Sequence, residues 1–161
     1  MNANIRRMEI NLMTLGTGVI LFAIWTFIRS ALTLFLFNDD IRDLIPPHLS
    51  VWVYSFVFII TVIAFLFELY IGISARNEAR GKRKSVLYLI FSVIGIASYF
   101  AVSVAEFIAI FSPGERGIIA LITTFIIEIT ATVCLTEMLI NSIRLRKIRK
   151  NLSLGEKGGA E

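Results

Sequence analysis

Four apolar runs divide the chain, at residues 12–37, 51–75, 85–111 and 117–141, and short polar segments separate them. A helix rises about 1.5 Å per residue, so roughly 20 apolar residues cross the hydrocarbon core of a bilayer. All four runs are longer than that. The pattern predicts an all-α integral membrane protein, an antiparallel four-transmembrane-helix bundle with both termini cytoplasmic. Residues 1–143 form the membrane domain, and residues 144–161 are expected to be a basic cytoplasmic segment and disordered tail. The first run is too long for a signal-peptide core and no small-residue cleavage site follows it, so it reads as an uncleaved span.

Composition narrows the function. Of 161 residues, 57% are hydrophobic and only 17% charged, against about a quarter charged in soluble domains. The net charge of +4 therefore speaks for basic loops that orient helices, and not for nucleic acid. Cys134 is the single cysteine, which rules out an intrachain disulfide or a thiol relay. His48 is the single histidine, too few to ligate a haem from both sides, and no cluster has zinc-ligand spacing. No cofactor is expected.

The polar segments set the topology. Asn38 to His48 holds three Asp, one Arg and a proline pair, net −2, and Ser112 to Arg116 is a neutral turn. Arg76 to Lys84 carries +4, with Gly81 as the break, and Arg144 to Lys150 carries +5. Basic segments stay in the cytoplasm, so the latter two face inside and the former two outside. The plasma or cytoplasmic membrane is the expected location. Arg80, Lys82, Arg83, Lys84, Arg146 and Lys147 are placed to meet anionic lipid headgroups.

Polar residues at helical spacing mark inner faces, because positions three, four and seven apart share a side. The third run carries the stripe Tyr88, Ser92, Tyr99, Ser103 and Glu106. The second carries Thr61, Glu68 and Gly72, and the first Asn11, Gly18, Trp25, Arg29 and Thr33. Gly16 and Gly18 give the first run a small-residue surface for close helix approach. The fourth has two polar faces, with Thr124, Glu128 and Thr132 on one side and Thr130, Cys134 and Glu137 on the other. One face meets the bundle and the other a second subunit, or else Glu137 snorkels toward Arg144.

Counting from the cytoplasmic ends sorts the charges by depth. Arg29 lies at about 25 Å, Glu128 at roughly 22 Å and Glu106 at roughly 31 Å, while Glu68 and Glu137 lie at about 10 Å. Arg29 is the one basic residue inside the apolar runs, and pairing with Glu128, Glu106 or both is its least costly arrangement. The expected ligand or ion site is therefore Arg29, Glu128, Glu106, Tyr99, Ser103, Thr124 and Thr132, with a second layer of Glu68, Glu137 and Tyr88.

Intramembrane ionisable groups commonly mark pathways. The leading expectation is a transporter, channel or carrier-like subunit for a small solute or ion. The alternative is a non-catalytic accessory or scaffold subunit, with the charges as structural pairs and a homo-oligomer or membrane partner subunit as its context. An intramembrane enzyme ranks third, because nothing supplies an activated nucleophile or a metal.

Overall fold

A computed structural model of the chain describes residues 3–36, 47–82, 85–111 and 118–158. It is all-helical among these residues, with α1 Ala3–Leu36, α2 Pro47–Ala79, α3 Leu87–Ile110 and α4 Ile118–Gly158. Each contains a stretch long and apolar enough to cross a membrane: Asn4–Leu32, Val51–Ala79, Leu87–Ile108 and Leu121–Leu152. These are the features of a multi-pass membrane protein. Residues 37–46 and 112–117, and Arg83 and Lys84, lie outside the described residues.

Three helices run further than hydropathy alone implies. α1 begins at Ala3, because Ile5 and Leu12 are both buried and Glu9 is tied to α4. α2 continues through Arg76 to Ala79 and ends in a glycine cap. Lys82 N–H donates to Asn77 C=O at 3.0 Å, Gly81 N–H to Glu78 C=O at 3.0 Å, and Gly81 has φ 73°. That bond pair is a Schellman cap, and the positive φ is where glycine alone is unstrained.

The fourth helix gives a correction. Residues 144–158 were expected to leave the span as a basic segment and a disordered tail, yet they continue α4 as one helix to Gly158. Leu145 is fully buried and Ile148 packs on the core, so the apolar stripe of α4 persists beneath the basic residues.

α1 packs most extensively on α2, and α3 on α4, while α1 also lies along α4. A pair of glycines sets the first contact. A Cβ on Gly72 would stand 2.8 Å from Gly16 O, and one on Gly16 would stand 2.9 Å from Gly72 O. Only residues without side chains allow that approach.

The buried apolar residues are unevenly spread. They run from Ile5 to Ala23 on α1, Ile71 to Ala79 on α2 and Ala131 to Leu145 on α4, with Tyr88 from α3. These all gather toward the end that carries Arg76 and Arg146. On α2, Val51 to Ile60 are nearly all exposed at the bundle surface. Among the described residues the buried apolar side chains are therefore concentrated at the basic end. Large exposed side chains such as Phe56, Ile59, Phe100 and Ile126 suit contact with acyl chains.

Candidate functional site

The polar side chains form three tiers along the bundle. The first, at the basic end, is the most completely bonded. Glu78, 1% exposed, lies on the last turn of α2. Arg146 of α4 grips it bidentately, with Nε to Oε1 at 2.5 Å and Nη2 to Oε2 at 2.6 Å. Tyr88 of α3 donates its hydroxyl to Glu78 Oε2 and lies 2.5 Å from Ser142 Oγ. The Arg146 guanidinium also stands 5.7 Å above the Tyr88 ring and donates to Ser85 C=O. Arg149 donates to Glu78 C=O at 3.0 Å, capping α2, and to Glu9 of α1 at 2.8 Å. The Glu78 carboxylate thus ties α2 to α3 and α4, the Arg149–Glu9 pair adds α1, and Arg149 satisfies carbonyls at the open end of α2.

Sequence reasoning assigned these residues elsewhere. Glu78 counted as a loop charge, Arg146 as a headgroup contact and Tyr88 as a neighbour of Glu68. The structure gives Arg146 and Tyr88 to Glu78 instead, because α2 stays helical four residues past Ala75. The available signal was the apolar spacing Leu135, Met138, Leu145, which carries α4 inward past Arg144. Arg80, Lys82 and Lys147 are exposed on the surface.

The middle tier is Glu68 with Tyr99. The Tyr99 hydroxyl of α3 donates to Glu68 Oε1 of α2, and its ring packs edge-on to Phe22 of α1 at 5.8 Å. Tyr99 was expected further out, beside Arg29. A cavity of about 180 Å³ opens here, lined from all four helices by residues that include Gly18, Phe22, Glu68, Tyr99, Thr130 and Cys134. A second cavity of about 160 Å³ lies between α1 and α2, with Thr26, Ser30 and Thr61 in its wall, and Glu68 lines it too. Glu137 does not join this tier. It is exposed on the outer face of α4, between exposed Val133 and Ile140.

The third tier gathers most of the predicted ion site. Arg29 Nη2 of α1 donates to Thr124 Oγ1 of α4 at 2.5 Å. Glu106 and Glu128 both lie within electrostatic reach of Arg29, and Glu128 of Glu106. Among the described residues Arg29 makes no salt bridge to either carboxylate. Its side chain sits at the bundle edge with Trp25, both exposed, and not on the inner face of α1. The buried face of α1 runs through Leu12, Val19 and Ala23, and Arg29 falls beside that line. Ser103 is buried, and Thr132 uses its hydroxyl on Glu128 C=O at 2.9 Å.

Two carboxylate oxygens of this tier, Glu106 Oε2 and Glu128 Oε2, are buried without a hydrogen-bond partner, and the Ser103 hydroxyl lies beside the Glu128 carboxyl. An unmet buried polar group costs about 1–3 kcal/mol, so such a cluster calls for a proton, an ion or water. No group of three metal-ligating side chains occurs among the described residues. Cys134 is a free thiol in the wall of the central cavity. Comparison with family models, curated proteins and solved structures finds no match for the chain.

Proposed function

We propose that this chain is a small polytopic membrane protein of the transporter, channel or carrier type, acting on a small ion or solute at a polar site within its bundle. The carrying observation is the pair of buried carboxylate oxygens, Glu106 Oε2 and Glu128 Oε2, that lack a hydrogen-bond partner beside one guanidinium, Arg29. Two carboxylates against one arginine leave one negative charge over when both are ionised. A monovalent cation or a proton balances it and meets the open oxygens. The Glu78–Arg146 tier closes one end of the bundle, where the buried apolar side chains among the described residues also gather. That asymmetry suits access from the opposite end.

The test is flux in proteoliposomes under an imposed membrane potential, with protons, sodium and potassium offered separately. One of them should pass, and Glu128→Gln should lower its rate about tenfold or more. No flux of any of the three through the wild type would sink the reading. The second reading is an accessory or scaffold subunit. Glu137 favours it, since a carboxylate exposed between Val133 and Ile140 suits contact with a second copy or another membrane chain.

In this reading the helices are antiparallel, both termini are cytoplasmic, and Arg80, Lys82 and Lys147 face anionic headgroups of a plasma or cytoplasmic membrane. In a Cys134→Ser background, Asp40→Cys and Glu115→Cys should react with an impermeant thiol reagent added outside. Gly81→Cys and Lys157→Cys should not. Outside labelling at Gly81→Cys would reverse the orientation.

A further inference from the structure

Glu68 occupies an unusual position: it lines both the four-helix cavity and the neighbouring cavity between α1 and α2. It contributes the single carboxylate to each lining. Aromatic rings surround it in pairs, Phe22 with Tyr99 on one side and Phe27 stacked on Phe65 at 4.6 Å on the other. The remaining walls of the central cavity are almost wholly apolar, formed by Val19, Ala131 and Leu135 with the Cys134 thiol. Thr130 spends its hydroxyl proton on Ile126 C=O at 2.8 Å.

The lining selects among ligand classes. An anion is repelled by the carboxylate. A hard metal cation needs about six oxygen ligands, and the central cavity offers the carboxylate and two hydroxyl groups. A neutral apolar molecule leaves the carboxylate facing hydrocarbon without a counter-charge. An alkylated or aryl ammonium ion meets every wall. Its charge lies against Glu68, its methyl groups against ring faces, and its apolar body against the aliphatic residues. We propose that Glu68 holds a lipophilic organic ammonium ion in the four-helix cavity, against Phe22 and Tyr99. The Tyr99 hydroxyl, bonded to Glu68 Oε1, competes with the ligand for the carboxylate. This site uses a different carboxylate and cavity from the Glu106–Glu128 cluster, so it stands even if that cluster moves no ion.

The probe is benzyltrimethylammonium, titrated calorimetrically into the full chain in lipid nanodiscs. One ion should bind per chain, and neopentylbenzene, its uncharged carbon isostere, should not displace it. Glu68→Gln should weaken binding about tenfold or more, because a desolvated charge partner is lost. Glu137→Gln should change it by about twofold at most, as an exposed charge contributes little. Tyr99→Phe keeps the ring, removes the competing hydroxyl, and should bind at least as tightly as wild type. Absence of saturable binding to the wild type overturns the proposal. So does displacement by neopentylbenzene, or a loss smaller than tenfold in a folded Glu68→Gln. Should Glu68→Gln fail to fold, the isostere comparison on the wild type decides.

Discussion

Arg146→Leu should destabilise the protein by about 3–5 kcal/mol, the usual consequence of stranding one member of a buried charge pair. The substitution leaves Glu78, 1% exposed, without its counter-charge, and it removes the donor to Ser85 C=O. Glu78→Met alone should cost a similar amount by stranding Arg146. The double variant Glu78→Met/Arg146→Leu should recover most of the loss, because apolar replacement of a whole buried pair is often near neutral. Tyr88→Phe should cost less, about 1 kcal/mol, since Arg146 still satisfies the carboxylate. Thermal unfolding of wild type and the four variants in one detergent measures this. An Arg146→Leu variant within about 0.5 kcal/mol of wild type would mean the pair is solvated and inert.

The second large effect is expected in the third tier. Arg29→Leu removes the cation facing Glu106 and Glu128 and the donor to Thr124. Glu128→Gln leaves Arg29 with one carboxylate nearby. Arg29 contacts Thr124, not a carboxylate, so its coupling to Glu128 acts through space and should be smaller than that of the Glu78 pair. The cycle Arg29→Leu, Glu128→Gln and both together should give an interaction energy of about 1 kcal/mol, with the double variant more stable than the sum predicts. Additivity within about 0.5 kcal/mol would separate the two residues and assign Arg29 to Thr124 alone. Read in the flux assay, a stable double variant without transport would favour the ion-site reading over the scaffold.

How much of this could be read beforehand depended on the kind of signal. The four apolar runs made the spans plain, because length and hydropathy act on each helix separately. The tiers depended on where helices end, which hydropathy does not report. Depth counted from the edge of the second run puts Glu68 at about 10 Å, a layer apart from the Arg29 group to which the sequence assigns Tyr99. Counted from the ends of α2 and α3, at Ala79 and Leu87, the same residues lie at about 16 Å and about 18 Å, and their side chains meet. The same four extra residues of α2 turn Glu78 from a loop charge into the centre of the basic end. Glu106, Glu128, Ser103 and Thr124 were legible as a group, because each sits on the polar stripe of its own helix.

The order in which the clamp is made has a consequence for biogenesis. Glu78 enters the membrane early, and both guanidiniums that satisfy it and the end of α2 reside on α4, 68 and 71 residues later. Before Arg146 and Arg149 dock, the first three helices offer the Glu78 carboxylate only the Tyr88 hydroxyl and leave the end of α2 without the Arg149 donor. Docking of α4 therefore completes the polar contacts of the other three helices at their basic end.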